Sequence, residues 1–478
     1  MTFLQFLMPA IVTGLVSVSA VAEQNDTPAA RTFYLGSDLS YANEMDDCGA
    51  VFRQDAEVRD VYEIFADEGN NLVRLRLWHD PQWTDYSTLD DVKRSIARAK
   101  ASGMQVLLDF HYSDDWADPG DQIIPAAWAD IETDEALAEA LFAYTRDTLI
   151  ELREEGLSPD MVQVGNETNT EILLPANVPE DTPVNWTRNV MLLNAGIRGV
   201  REAGKLTGHM PAIMLHVAQP EHLETWFDDA FAAGILDFDY IGMSYYPKWS
   251  SLGMEEMGQT LRRLRHKYGK EVIVVETAYP WTLEADDAAP NILNEDSLIP
   301  AYPATLDGQR AFLTELTQTV ISNDGSGVVY WEPAWVANGC STRWGDGSHW
   351  ENNAFFEYGG TNAHSGFDFF THEYEQPVQV TFVFAPPTDY QHGDMPPLYF
   401  WASFFEGKDF TVALEPENGG YRYEARLPAG EAIKYRLFKS PDLTDPIIMG
   451  SDMTDQPAEF VVGDGTLGKH GVAVSIFP

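Results

Sequence analysis

Short apolar segments alternate with amphipathic segments from about Thr32 to about Trp331. Two of the apolar runs, Val106–Leu108 and Val272–Val275, have no polar face, which is typical of parallel strands covered by helices. The pattern predicts eight strands, and a segment that can form a helix separates each from the next. The predicted strands are Phe33–Asp38, Leu72–Trp78, Gln105–Phe110, Met161–Gly165, Ala212–Val217, Tyr240–Tyr245, Val272–Glu276 and Val328–Trp331.

The amphipathic segments have the features of helices. In residues 87–103, apolar side chains recur at helical spacing, acidic residues stand in the first turn and basic residues in the last, and Gly103 is placed to end the helix. Eight strand–helix alternations predict an α/β fold, a (β/α)8 TIM barrel. A doubly wound open sheet is the alternative, but it usually carries a glycine-rich phosphate loop after its first strand, and Gly36–Ser40 does not match one.

The pattern changes after about Thr371. Val378–Phe384 and Tyr421–Leu427 alternate apolar residues with polar or small ones, and Ile433–Phe438 and Val472–Phe477 are further strand candidates separated by turn signals. These features predict a C-terminal antiparallel β-sandwich after the barrel.

The first 22 residues form a segment of a different kind. They contain no charged side chain, Leu4–Val18 is mostly apolar, and Ala20–Ala22 fits a cleavage site. This combination predicts a secretory signal peptide and a mature chain that begins near Glu23 and is secreted, either outside the cell or into the periplasm. We therefore expect three parts: the signal peptide over residues 1–22, the barrel over residues 23–372 and the β-sandwich over residues 373–478.

The charge is strongly negative. The chain has 30 Lys and Arg against 75 Asp and Glu, a formal net charge of −45. Such a charge repels phosphates, which argues against nucleic acid and against an anionic membrane as partners. With 44% hydrophobic and 12% aromatic residues, the chain can bury a large core, so global disorder is excluded. We expect a monomer whose charge serves solubility or a saline medium.

Chemically active side chains follow the predicted strands at their carboxyl ends, where barrel enzymes place their active sites. Glu167 follows strand 4 and Glu276 ends strand 7. These strands lie roughly across the barrel from each other, so the two carboxylates can face each other over a bound sugar. Glycoside hydrolysis needs such a pair, and a separation near ~5.5 Å gives retention of configuration. For either glutamate alone a buried ion pair is the alternative, but the pair together favours catalysis.

The surroundings of these glutamates favour sugar binding. Arg74, if it points inward, would keep Glu276 ionised, while burial and the second carboxylate would raise the pKa of Glu167. Tryptophans follow several strand ends and can stack on sugar rings. His111 and His216 are expected to donate hydrogen bonds to sugar hydroxyls or to the carboxylates rather than to bind a metal. The predicted substrate-binding residues are Asp38, Arg74, His111, Trp116, Asn166, His216, Tyr245, Trp281, Trp331, Trp335 and Trp350.

Nine sequence stretches carry a family resemblance. They are Gly36–Ser40, Asn70–Trp78, Val106–Asp114, Trp116–Gly120, Gln163–Glu167, Ile213–His216, Gly242–Pro247, Val275–Thr282 and Trp331–Trp335. In this order they resemble glycoside hydrolase family 53, the secreted arabinogalactan endo-β-1,4-galactanases. The resemblance implies a retaining enzyme with Glu167 as acid/base and Glu276 as nucleophile. It also implies a polysaccharide substrate, the β-1,4-galactan side chains of pectin, and no cofactor for catalysis.

Some members of this family bind a structural calcium ion near the loops that follow strands 7 and 8. Asp286, Asp287 and Asn291 are the candidate oxygen ligands in this chain. The C-terminal region lies outside the resemblance. It looks loosely like a carbohydrate-binding β-sandwich, and a domain that only packs on the barrel is the equally favoured alternative.

Two other functions stay open at this point. The first is another retaining glycosidase of the same clan, such as a mannanase or a cellulase. The second is a non-catalytic glycan-binding protein on a barrel scaffold, which the presence of both glutamates disfavours.

The two cysteines are expected to form a disulfide. Export permits one, and Cys48 follows strand 1 while Cys340 follows strand 8. These strands become neighbours when the barrel closes. A Cys48–Cys340 bridge would then tie the first and last loops of the catalytic face.

Overall fold

The computed structural model describes most of the chain after its N-terminal segment. The described residues are 31–176, 178–179, 182–359, 361–384, 395–405, 410–417, 419–444, 446–447, 458–462 and 472–476. The predicted signal peptide, Met1–Ala22, lies outside them. Within these ranges, each helix is too short or too polar to cross a membrane.

A closed barrel of eight parallel strands forms the centre of the fold, and β1 pairs with both β2 and β8. The barrel strands are β1 Tyr34–Asp38, β2 Leu72–Leu77, β3 Gln105–Phe110, β4 Met161–Val164, β5 Ala212–Ala218, β6 Tyr240–Ser244, β7 Glu271–Glu276 and β8 Gly327–Tyr330. All eight predicted strands and the (β/α)8 fold are confirmed, with each strand end within one residue of its prediction.

Helices connect the strands and cover the outside of the barrel. They are α1 Ala42–Asp47, α2 Val61–Asp67, α3 Leu89–Ala101, α4 Asp134–Glu154, α5 Trp186–Thr207, α6 Pro220–Ala232, α7 Met254–Tyr268 and α8 Leu306–Ser322. The helix predicted over residues 87–103 is α3, whose first turn is capped by Thr88. Gly103 follows it with a φ of 79°, a left-handed conformation that suits the end of a helix.

The barrel interior has two layers, one apolar and one charged. On β2, Leu72 belongs to an apolar cluster that also includes Leu107 and Ile273. Arg74 and Arg76 follow Leu72 on the same face of the strand, nearer its carboxyl end. The apolar layer therefore fills the lower interior, and charged side chains occupy the upper interior next to the catalytic face.

Two further sheets lie in the C-terminal region. Their strands are β9 Val378–Phe384, β10 Leu398–Ala402, β11 Val412–Leu414, β12 Tyr421–Leu427, β13 Ala432–Phe438, β14 Pro446–Ile447, β15 Ala458–Val461 and β16 Val472–Ile476. One sheet has the order β12-β9-β16, and the other has β11-β10-β13-β14 with β15 beside β13. The pairs are antiparallel as expected, except that β16 runs parallel to β9. Phe382 of the first sheet packs on Phe400 of the second, with ring centroids 5.0 Å apart.

The C-terminal sheets contact the barrel at its lower end. Arg262 in the second half of α7 pairs with Glu431 at 2.8 Å, and Nδ1 of His266 lies 2.5 Å from the hydroxyl of Tyr423. Asp324, just before β8, faces Arg426 at 3.8 Å. These barrel residues precede the amino ends of β7 and β8, so the contact lies at the end opposite the catalytic face.

The predicted disulfide is present between Cys48 and Cys340, whose Cα atoms are 5.9 Å apart. Cys48 directly follows α1, and Cys340 precedes a short hairpin formed by Ser341–Thr342 and Gly345–Asp346. The bridge therefore joins the loop after β1 to the loop after β8, both at the catalytic face.

We expect a Cys48→Ser, Cys340→Ser double variant to be less stable than the wild type. The bridge closes a loop with a sequence separation of 292 residues, and a loop longer than 100 residues corresponds to about 5 kcal/mol in the chain-entropy description. Chemical denaturation under oxidising conditions measures the difference. Equal free energies of unfolding for the two proteins would contradict a stabilising role.

Candidate active site

A cleft of about 750 Å³ opens at the carboxyl ends of the barrel strands. Glu167, which follows β4, and Glu276, the last residue of β7, both line it. The predicted substrate-binding residues that also line the cleft are Asp38, Arg74, His111, Trp116, Asn166, Trp331, Trp335 and Trp350. The structure therefore brings most of the predicted site together in one place.

The two glutamates are close enough for a retaining mechanism. One carboxylate oxygen of Glu167 lies within 4.8 Å of one of Glu276. Retaining glycosidases hold these groups about 5–5.5 Å apart, whereas inverting enzymes need about 6.5–9.5 Å to fit a water between them. The chain turns sharply after β4 to place Glu167, since Gly165 and Glu167 have φ values of 83° and 43°. A Cβ atom at Gly165 would meet Thr168 at 2.7 Å, so this turn requires glycine.

Arg74 organises the floor of the cleft. Each of its five N–H groups has an oxygen acceptor, and its side chain is almost completely buried. The acceptors are Asp38 at 2.9 Å, Glu276 at 2.8 Å, Asp109 at 2.7 Å, Asn166 at 2.6 Å and Gln163 at 3.2 Å. One guanidinium thus fixes side chains from β1, β3, β7 and the segment that contains β4.

Glu276 is held ready to act as a carboxylate. Burial raises its pKa to about 7, although Arg74 and the hydroxyl of Tyr246 both act to lower it. The Tyr246 hydroxyl donates to Oε2 of Glu276 at 3.1 Å, and burial raises the pKa of this tyrosine well above 10, so it keeps its proton. Arg74 and Tyr246 therefore place two donors on the charged form of Glu276.

The environment of Glu167 disfavours its charged form more strongly. Burial and then repulsion by Glu276 raise its pKa well above 4.5. Arg74 forms its ion pair with Glu276 and not with Glu167, so the proton that the pair shares resides on Glu167. A protonated Glu167 beside an ionised Glu276 is the arrangement that a general acid and a nucleophile require.

The two histidines are both neutral but occupy different places. Burial lowers the pKa of each below 6.5. His111 lines the cleft, where Nε2 lies 3.1 Å from Asp109 and Nδ1 accepts the backbone N–H of Ala117 at 3.1 Å. His216 does not line the cleft; it is fully buried behind Glu167. Its predicted direct contact with sugar is therefore not supported by its position.

Two predicted aromatic residues also lie outside the cleft. Tyr245 is 1% exposed and absent from the cleft wall, because Ser244 points into the barrel and the next side chain along a strand points outward. Trp281 packs its ring against Tyr358 and His364, with centroids 4.7 and 5.3 Å away. It lies five residues past Glu276 in the sequence, far enough for the loop to carry it away from the cleft.

Several cleft residues were not predicted as site residues. Tyr246 takes the place expected for Tyr245; strand alternation is the signal for it once the last residue of β6 is known. Trp344 lies in the hairpin after the disulfide and packs on Trp83, with ring centroids 4.9 Å apart. Arg76 lies over the ring of Trp116 at 4.1 Å and so fixes this platform by a cation–π contact.

Two of the three calcium candidates, Asp286 and Asp287, accept hydrogen bonds from backbone groups in this structure. The carboxylate of Asp287 accepts the N–H groups of Ala289 at 2.8 Å, Ser348 at 2.7 Å and Asn338 at 3.2 Å. Asp286 accepts the N–H of Gly359 at 3.1 Å. Backbone N–H groups directed at a carboxylate repel a cation, so the arrangement at Asp287 does not fit a calcium ligand.

Glu167, His216 and Glu276 also have the spacing of metal ligands, with one ligand atom of each within 4.8 Å of the others. Arg74 lies 2.8 Å from Glu276 and already supplies the positive charge there. The cluster therefore fits proton transfer better than cation binding.

An eight-stranded barrel with two facing glutamates after β4 and β7, spaced for retention, defines a retaining glycoside hydrolase. The model of glycosyl hydrolase family 53 matches residues 34–370. The chain belongs to this family, as the sequence resemblance implied.

Relatives of this chain include named galactanases. The arabinogalactan endo-β-1,4-galactanase of Cellvibrio japonicus is 48% identical over 376 residues, which cover 78% of this chain and 97% of the relative. The endo-β-1,4-galactanase of Bacillus subtilis is 33% identical, over 66% of this chain and 72% of the relative. The solved GH53 catalytic domain of Ignisphaera aggregans has a TM-score of 0.65 at 33% identity, covering 72% of this chain and 96% of that domain.

Proposed function

We propose that this protein is an endo-β-1,4-galactanase that hydrolyses the galactan side chains of pectin with retention of configuration. The observation that carries the chemistry is the pair Glu167 and Glu276, within 4.8 Å of each other, of which only Glu276 forms an ion pair with Arg74. The names of the family 53 relatives supply the polysaccharide. An open cleft with aromatic walls suits attack within a chain rather than at its end.

The reaction has two steps. In the first, an oxygen of Glu276 attacks the anomeric carbon, the glycosidic C–O bond breaks, and the proton of Glu167 passes to the departing oxygen. In the second, Glu167, now a carboxylate, takes a proton from water while the water oxygen attacks the anomeric carbon and displaces Glu276. Each step inverts the anomeric carbon, so the product retains its configuration.

Incubation with β-1,4-galactan, mannan and cellulose tests the substrate. The proposal expects new reducing ends from galactan, an early mixture of medium-length products, and a β-anomer that appears first in time-resolved proton NMR. Preferred hydrolysis of mannan or cellulose would indicate another glycosidase of the clan. Binding to galactan without release of reducing sugar would indicate a glycan-binding protein.

Trp344 is proposed to contact the polysaccharide away from the bond that is cleaved. Its side chain lines the cleft while remaining 39% exposed. We expect Trp344→Ala to raise the KM for long galactan about 10-fold, because a stacking contact is lost, with kcat changed by less than about 3-fold. Trp281→Ala, which removes an indole outside the cleft, is the matched control. An unchanged KM for Trp344→Ala would contradict this role.

No cofactor takes part in the proposed reaction. We propose that hydrogen bonds from backbone N–H groups to Asp286 and Asp287, instead of a calcium ion, hold the loops after β7 and β8. We therefore expect the melting temperature in EDTA to match that in millimolar calcium. A rise of several degrees with calcium, lost in an Asp287→Asn variant, would restore the ion predicted from the sequence.

We propose that residues 23–372 form the catalytic domain and residues 373–478 a separate domain that packs on its lower end. The contacts of Arg262 with Glu431 and of His266 with Tyr423 support this arrangement. A domain at that end lies away from the cleft, so it would not extend the substrate-binding surface. Trp401 is a partly exposed aromatic residue of β10 that could serve as a sugar platform. Equal galactan binding by a Trp401→Ala variant and the wild type would agree with the proposal; weaker binding would favour the carbohydrate-binding alternative.

Secretion and a monomeric state complete the proposal. Both rest on the sequence alone. The predicted signal peptide, Met1–Ala22, lies outside the described residues. N-terminal sequencing of the exported protein is expected to begin near Glu23, and light scattering is expected to give the mass of one chain. A retained Met1 or a dimer mass would contradict the respective part.

A further inference from the structure

Ser244 lies between Glu167 and His216 at the carboxyl end of β6. Its Oγ is 2.5 Å from Oε1 of Glu167 and 2.8 Å from Nε2 of His216. Ser244 and His216 are fully buried and do not line the cleft. They contact the side of Glu167 that faces the protein, so they act on this residue without touching a substrate.

The direction of these hydrogen bonds follows from two amides that Arg74 orients. Nε of Arg74 donates to the oxygen of the Gln163 amide, which leaves the amide nitrogen to face His216. Nη2 of Arg74 donates to Oδ1 of Asn166, and Nδ2 of Asn166 donates to the carbonyl of Ala117 at 2.8 Å. Neither amide can rotate by half a turn without losing these contacts.

Nδ1 of His216 therefore meets two donors. The amide nitrogen of Gln163 lies 3.1 Å away, and the backbone N–H of Glu167 lies 3.4 Å away. Oδ1 of Asn166 also lies 3.0 Å from Nδ1, but its two lone pairs already face Nη2 of Arg74 at 2.6 Å and the amide nitrogen of Gln163 at 3.0 Å. Nδ1 acts as the acceptor, and since burial keeps the ring neutral, the one ring proton sits on Nε2.

A proton on Nε2 sets the orientation of the Ser244 hydroxyl. The Nε2–H of His216 donates to Oγ of Ser244. The hydroxyl of Ser244 therefore donates its own hydrogen to Oε1 of Glu167. Oε1 then receives a hydrogen bond and is a poor position for the acid proton. The proton is directed to the other oxygen, Oε2.

We propose that Ser244, oriented by His216, is a positioning residue that keeps the acid proton of Glu167 on Oε2 and stabilises the carboxylate left after proton transfer. The inference rests on the proposed role of Glu167 as acid/base. It assigns to His216 an indirect role in place of contact with sugar. Arg74 thereby organises both halves of the site: it pairs with Glu276 directly and reaches Glu167 through Gln163, His216 and Ser244.

The charges around Glu167 determine the expected effect of pH. Glu276 from β7, Asp118 from the loop after β3 and Arg74 from β2 all act on its pKa, and the hydroxyl of Ser244 lowers it. Tyr246 stays protonated and His216 stays neutral, so neither changes charge in the working range. Removal of the Ser244 hydroxyl raises the pKa of Glu167 and moves the alkaline limb of kcat/KM to higher pH.

The test compares Ser244→Ala, Ser244→Thr and the wild type on galactan and on a dinitrophenyl β-galactoside, whose leaving group needs no acid. We expect Ser244→Ala to lower kcat/KM on galactan about 10- to 100-fold and to shift its alkaline limb upward by about one pH unit. Activity on the dinitrophenyl substrate is expected to stay within about 3-fold. The threonine variant keeps a hydroxyl and is expected to restore the wild-type limb.

Ser158→Ala, which removes a buried hydroxyl before β4, is the matched control and is expected to leave all three values unchanged. Should Ser244→Ala not fold, Ser244→Cys keeps the volume with a weak donor and is judged in the same way. A wild-type alkaline limb, or equal losses on both substrates, would overturn the positioning role. A wild type inactive on galactan would instead overturn the proposed function.

Discussion

Glu276→Ala is expected to lower kcat on galactan about 10⁵-fold or more, because the variant has no group to form the glycosyl-enzyme. Glu167→Ala is expected to lose less on an activated aryl galactoside than on galactan, because a good leaving group needs no proton. Steady-state kinetics on the two substrates measures both effects. The contrast follows from the structure, in which Arg74 binds Glu276 while Glu167 holds the proton.

Azide separates the two roles further. In Glu167→Ala, azide can attack the glycosyl-enzyme from the face that water uses, which gives a β-galactosyl azide. In Glu276→Ala, azide occupies the space of the missing carboxylate and attacks from the opposite face, which gives an α-galactosyl azide. The opposite stereochemistry in the two variants would exchange the assignments, and near wild-type activity of either variant on galactan would refute them.

Arg74→Ala is expected to destabilise the protein by about 3–5 kcal/mol, since a buried guanidinium is removed from three carboxylates. The loss should be larger at pH 8 than at pH 5. Arg74 lowers the pKa of Glu276, so its removal raises that pKa above about 7. A carboxyl group whose pKa is higher in the folded than in the unfolded state lowers the free energy of unfolding, and this loss grows as the pH rises from the unfolded-state pKa to the folded-state pKa. In the variant the folded-state pKa of Glu276 is higher than in the wild type, so its loss continues to grow at pH 8.

The same variant is expected to lose activity on the acid side of its pH profile. Because Glu276 must be ionised to attack, the acid limb of kcat/KM should move to higher pH. Arg94→Ala, which breaks the exposed pair with Asp47, is the control and should change stability by no more than about 1 kcal/mol. Equal effects of the two substitutions, at either pH, would contradict the role given to Arg74.

The barrel could be predicted from the sequence because its strands are buried on both faces. Val106 and Leu108 pack outward and Leu107 packs inward, so β3 is a continuous apolar run. A short apolar run of this kind is typical of a strand buried on both faces. Glu167 and Glu276 could be predicted with them, since a residue at a strand end in a barrel has a defined position.

The loops could not be predicted to the same degree. Strand alternation places Tyr246 in the cleft and Tyr245 outside it, but the sequence does not say at which residue β6 ends. Trp344 reaches the cleft through the hairpin beside the Cys48–Cys340 bridge, a contact between parts of the chain that are far apart in sequence. The role of a buried polar residue such as His216 depends on its partners, and no local pattern specifies them.

The most direct test of the two-glutamate mechanism is to trap the covalent intermediate. A 2-deoxy-2-fluoro-β-galactoside with an activated leaving group should form the glycosyl-enzyme and release it slowly, because the fluorine destabilises both transition states. Peptide mass spectrometry of the inactivated wild type is predicted to find one fluorosugar, attached to Glu276. A fluorosugar on any other residue, or turnover of this compound without a covalent adduct, would contradict the account.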